Sequence, residues 1–111
     1  MNWHPLTSIE QLQELINRSA EKPQVIFKHS IRCSISSVVK NRLEKEQAPD
    51  AADFHYLDLI NYRPVSNAIA EKFGITHESP QILVIWKGQS IYDDSHMAIN
   101  MDDITEKVKA A

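Results

Sequence analysis

The sequence predicts an α/β chain: a mixed four-stranded sheet with helices on both faces. Three observations lead there. Short aliphatic and aromatic runs alternate with segments whose apolar residues recur every three or four positions. Strands that alternate with helices favour parallel pairing. The last two strands are separated only by Lys87-Gly88-Gln89, a turn so tight that they must run antiparallel.

The elements follow in order. Thr7-Ser8-Ile9-Glu10 reads as a capping box with Thr7 as N-cap and Glu10 three residues on. Ile9, Leu12, Leu15 and Ile16 then share one helical face. Pro23 closes that segment, and Gln24–Lys28 is a short buried strand. Ile35, Val38, Val39 and Leu43 have helical spacing, so a second helix runs from about Cys33 to Glu46. Gln47–Ala52, with Pro49 and Asp50, is a loop. Asp53–Ile60 is the second strand. Pro64 suits the first turn of a third helix, whose apolar face is Val65, Ala68, Ile69 and Phe73 and whose stop is Gly74. Gln81–Trp86 and Ser90–Asp93 form the hairpin. Asn100 caps a last helix carrying Met101, Ile104 and Val108.

Composition excludes several classes of function. At 111 residues the chain supports one core and no second unit, so residues 1–111 are read as one domain. A net charge of −3 with no basic stripe argues against a nucleic-acid partner. No apolar run approaches the ~20 residues of a membrane helix, and the first residues show no secretory signal. The single cysteine rules out an internal disulfide and a Cys-rich metal site, and without an export signal it points to the reducing cytoplasm. His29 and Cys33 are too few ligands for zinc, so no metal site is expected. Lys40–Glu46 carries mixed charge at helical spacing and reads as a solvated face.

The element order is that of a thioredoxin fold, and the special residues fall in matching places. Cys33 follows the first strand at the start of the next helix, and Ser79-Pro80 stands immediately before the hairpin, where thioredoxin-fold proteins carry a cis-proline. The runs FKHSIRCSIS (27–36), YRPVSNAIAEKFGITHESPQ (62–81) and SHMAIN (95–100) resemble the monothiol bacilliredoxin family of YtxJ-like thioredoxin-fold proteins. The resemblance implies removal of bacillithiol, a low-molecular-weight thiol, from mixed disulfides on S-thiolated cytoplasmic client proteins. It implies no tightly bound cofactor, bacillithiol serving as co-substrate, and a monomer or weak dimer. Ser34 stands where the family usually has proline.

Cys33 is the candidate catalytic residue. Only the thiolate attacks a disulfide, and a helix N-terminus and the neighbouring Arg32 both favour that anion. A dithiol enzyme resolves its adduct with a second cysteine three residues on; here that position is Ser36, so a separate thiol must release the adduct. Ser36 is read either as a donor to the Cys33 sulfur or as a capping group for the helix. The resemblance to the fold implies that the Ser79–Pro80 bond is cis and that its backbone faces the cysteine, against an ordinary trans turn before the strand. His77 and His96 lie in loops that approach it, as candidate contacts for a carboxylated thiol. The alternatives are an iron–sulfur carrier like the monothiol glutaredoxins, whose Cys-Gly-Phe-Ser spacing Cys33 and Ser36 preserve, and a redox-silent binding module.

Overall fold

Ser8 begins the first helix. Its hydroxyl accepts the Gln11 N–H at 3.1 Å, which satisfies one of the orphan donors at the start of α1 (Ile9–Arg18). The expected cap, Thr7, lies one residue outside. Its N–H and hydroxyl both donate to Gln11 Oε1, at 2.7 and 3.0 Å, so Gln11 rather than Glu10 closes the box. Ile9 is correspondingly exposed, and Leu12 and Leu15 carry the buried face.

The computed structural model describes all of residues 1–111. Its strands are β1 (His4–Pro5), β2 (Gln24–His29), β3 (Asp53–Asp58), β4 (Gln81–Trp86) and β5 (Gln89–Ser95). They form one sheet in the order β1-β3-β2-β4-β5. The β3 strand runs parallel to β2, β4 antiparallel to β2, and β5 antiparallel to β4. The sheet therefore has five strands rather than four. The extra one, β1, is two residues long, contains Pro5 and has no apolar alternation, so no sequence pattern marks it. Pairing of His4 with His55 and of Pro5 with Tyr56 holds it in place, as does the Leu6 N–H donated to the Tyr56 carbonyl at 2.8 Å.

The remaining helices are α2 (Ser34–Glu44), α3 (Arg63–Phe73) and α4 (Met101–Ala110). Helices cover both faces of the sheet, which is why β2 and β4 are apolar runs rather than alternating ones. Val25, Phe27, Ile82 and Val84 pack on Val39, Leu43, Ile104 and Val108 of α2 and α4. Ile26, Leu83 and Ile85 pack on Leu12, Leu15, Val65 and Ile69 of α1 and α3. Gly74 ends α3 at φ 64, a left-handed conformation glycine adopts without steric cost. Asn100 caps α4 through Oδ1, which accepts the Asp103 N–H at 2.9 Å. Lys87 and Gly88, both at positive φ, make the tight turn of the β4–β5 hairpin, and a register shift between Val84 and Ile85 bends it.

Helix α2 turns a different face inward from the one its spacing suggests. Ser36, Val39 and Leu43 are buried, whereas Ile35 and Val38 are 44% and 51% exposed.

One buried histidine stands apart from these elements. His55 lies 5% exposed in β3, with Nε2 2.7 Å from Gln24 Oε1. Burial pushes its imidazole down to about 4, and the neighbouring His4 and Arg18 act the same way. Between its ordinary value of 6.5 and about 4, the unfolded chain holds a proton that the folded chain does not. Stability is therefore full above pH 6.5 and is lost as pH falls towards 4, by about 3 kcal/mol from this group. Urea unfolding at pH 7 and pH 4 is expected to show that loss in wild type and a much smaller one in His55→Gln.

Candidate functional site

Three strand ends meet at one end of the sheet. Lys28 of β2 lies opposite Gln81 of β4, and Gln81 lies opposite Ser95 of β5. The segments just beyond these residues are therefore neighbours: Ser30–Cys33 after β2, Ser79–Pro80 before β4, and His96 after β5.

Cys33 is the N-cap of α2. Its backbone is extended (φ −104°, ψ 116°), and its N–H donates to the Ser30 carbonyl at 3.1 Å, closing the turn out of β2. The thiol is free and partly exposed, and it makes no capping hydrogen bond. Arg32 is exposed beside it and forms no ion pair; its N–H donates to Ser30 Oγ at 3.3 Å.

Ser36 faces away from that surface. It is fully buried, its hydroxyl lies 2.6 Å from His29 Nδ1, and it accepts the Ser30 N–H at 3.1 Å. Neither expected role is observed: the hydroxyl is neither bonded to the Cys33 sulfur nor free to cap the helix. His29 is 4% exposed, with its ring beside those of Phe27 and Tyr56 at centroid distances of 5.8 and 5.4 Å. Burial, with the nearby Lys40 charge, holds its imidazole below the ordinary range.

The Ser79–Pro80 peptide is cis. The Pro80 carbonyl accepts the His96 N–H at 3.0 Å, whereas the N–H and C=O of Ser79 have no hydrogen-bond partner in the protein. The Ser79 hydroxyl is buried without a partner. His96 has φ 55, a left-handed backbone rare outside glycine, and opens a 3₁₀ turn over His96–Ala98. Its ring is exposed, and Nε2 lies 3.4 Å from a carboxylate oxygen of Glu78, so a side-chain contact spans the cis-proline loop and this turn. Arg42 of α2 anchors the same turn by donating from Nη2 to the carbonyls of Met97, at 3.0 Å, and Ile99.

His77 is placed elsewhere. Its Nδ1 lies 3.4 Å from both Ser66 Oγ of α3 and Lys28 Nζ, and the Lys28 ammonium donates to the Ser66 carbonyl at 3.1 Å. Burial pushes Lys28 down to about 8. His77 thus fastens the loop to α3, and neither of its hydrogen bonds reaches the Cys33 turn.

Exposed apolar side chains border the cysteine: Ile31 before it, Ile35 and Val38 on α2, and Met97 on the turn that Arg42 holds. Sequence reasoning put Ile35 and Val38 in the core. The structure shows otherwise: the Ile35–Val38 stripe runs on to Arg42 at the surface, while Ser36, Val39 and Leu43 meet the sheet. Glu78 was also missed, and His29, weighed only as a metal ligand, proves to be the partner of Ser36. The signal for His29 was a polar side chain in a strand whose neighbours are all apolar or buried. No cleft is lined by Cys33; the largest, about 400 Å³, lies at the opposite end of the sheet among Met1, Glu46, Pro49 and Phe54.

Residues 4–104 match the family described as monothiol bacilliredoxin BrxC. A solved structure for which an oxidoreductase role with a thioredoxin fold has been suggested is 29% identical, with a TM-score of 0.81 over 92% of this chain and 89% of its own. The thioredoxin of Malassezia sympodialis superposes with a TM-score of 0.76 at 14% identity, over 98% of this chain and 90% of its own. That of Trypanosoma brucei brucei gives 0.74 at 14% identity, over 98% and 89%. The fold is thioredoxin-like, and the function is thiol oxidoreduction.

The Arg42 anchor gives a direct test of how the 96–99 turn is held. Arg42→Ala is expected to speed hydrogen exchange at the His96 and Ile99 amides by about tenfold, leaving central β2 and β4 amides unchanged. Equal protection in the variant would show that the turn stands without the guanidinium.

Proposed function

Because the chain belongs to the monothiol bacilliredoxin family, we propose that it strips bacillithiol from S-thiolated client proteins, with Cys33 as its nucleophile. The observation that carries this reading is a lone, partly exposed thiol at a helix N-cap with no second cysteine anywhere in the chain.

The cycle has two exchanges. The Cys33 thiolate attacks the bacillithiol sulfur of the client's mixed disulfide. The client–bacillithiol S–S bond breaks, the client cysteine leaves as thiolate and takes a proton, and a Cys33–bacillithiol disulfide forms. A second bacillithiol thiolate then attacks the bacillithiol sulfur of that adduct, releasing the Cys33 thiolate and bacillithiol disulfide. Release by a free thiol requires a thiol-rich, reducing compartment, which supports the cytoplasm.

Three groups are assigned to hold the adduct. The exposed, unpaired Arg32 guanidinium suits a carboxylate of the thiol. The unpartnered Ser79 N–H and C=O suit an extended segment lying beside Cys33. His96, fixed next to Pro80, supplies a further donor. His77 and Ser36 are left out of the contact set, because the first is bonded on the α3 side and the second is buried.

A client protein carrying bacillithiol on one cysteine, followed by intact mass spectrometry, tests the cycle. Wild type is expected to free the client and gain the adduct mass, and Cys33→Ser to do neither. His96→Ala is expected to slow capture by about tenfold. A Cys33→Ser protein that strips the client as fast as wild type overturns the mechanism. Stripping of glutathione with no action on bacillithiol overturns the assignment of the thiol alone.

A further inference from the structure

We infer that His29 is a positioning residue for Cys33 and acts through Ser36. The inference rests on Cys33 being the reactive group and adds a residue that the reaction itself does not touch.

The turn that carries the cysteine has few anchors of its own. Its side chains, Ile31 and Arg32, point into solvent, and the Cys33 side chain makes no capping bond. What fixes it is a closed circuit of hydrogen bonds. The ring of His29 holds the Ser36 hydroxyl at 2.6 Å, and that oxygen accepts the Ser30 N–H at 3.1 Å. The Ser30 carbonyl accepts the Cys33 N–H at 3.1 Å, and the Cys33 carbonyl accepts the Ser37 N–H at 3.2 Å. Strand end, turn and first helical turn are thereby joined through one buried hydroxyl.

The His29 ring is a rigid origin for that circuit. It is buried beside the rings of Phe27 and Tyr56, and its carbonyl accepts the Leu59 N–H at 3.0 Å. A buried hydroxyl deprived of the imidazole keeps a single partner and is free to rotate, and the Ser30 N–H then loses a fixed acceptor. The Cys33 sulfur keeps its place at the mouth of α2 only while the circuit is intact. Position 36, where a dithiol enzyme keeps its resolving sulfur, here serves to aim the first sulfur.

The test is the rate at which iodoacetamide alkylates Cys33 at pH 7, followed by intact mass. His29→Leu and Ser36→Ala are each expected to slow alkylation by about tenfold, and the double variant to be no slower than the slower single one. His29→Asn, which returns a polar atom to the δ1 position, is expected to restore most of the rate, as a space-filling role for the ring would not. Multiplying effects in the double variant overturn the inference, as does a His29→Asn protein as slow as His29→Leu. Should His29→Leu lose its far-UV circular dichroism, Ser36→Ala decides alone: alkylation at the wild-type rate overturns the inference. Alkylation involves neither client nor bacillithiol, so failure of client stripping leaves this inference standing, and its own failure leaves the stripping reaction standing.

Discussion

Burial of β2 along its whole length sets the rest of the molecule. All six residues from Gln24 to His29 are buried, with β3 and β4 on its edges and helices on both faces. Each side chain therefore has one place to go: Val25 and Phe27 to α2 and α4, Ile26 to α1 and α3. Polar residues in such a strand must find partners inside the protein. Gln24 finds His55 and Asp53, Lys28 finds Ser66 and His77, and His29 finds Ser36. These three links tie the strand to β3, to the cis-proline loop and to α2. The Lys28 and His29 links hold the point at which the chain leaves β2, and Cys33 lies four residues beyond His29.

Much of this was legible in the sequence because it rests on local chemistry. Gly74 and Asn100 announce helix ends through backbone freedom and a side-chain acceptor, and both act as read. The apolar runs at Gln24–Lys28 and Gln81–Trp86 require cover on both faces, which fixes the sheet as the centre of the fold. The position of Cys33 at a strand-to-helix turn follows from the same pattern.

What stayed hidden depends on contacts distant in sequence. The two residues of β1 are a strand only because Trp3 stacks on Phe27 and Leu6 reaches Tyr56. Helical spacing finds a face on α2 but cannot say which of two overlapping stripes meets the sheet; Arg42, bonded to the 96–99 turn, settles it. The occupation of Ser36 turns on His29, seven residues earlier and on another element. The contrast between His77 and His96, two loop histidines alike on paper, is decided by a buried ammonium on one side and Glu78 on the other.

The two outer strands bear on how the protein behaves when crowded. A sheet edge offers unpaired backbone groups to any other chain that can add a strand. At one edge β1 is only two residues long and includes a proline, which has no N–H to offer. At the other, β5 carries Asp93 and Asp94 beside its exposed Ile91, on a hairpin bent by its register shift. A second copy approaching edge to edge would meet a proline on one side and paired carboxylates on a bent strand on the other. Neither outer strand offers a second copy a long, uncharged edge on which to add a strand.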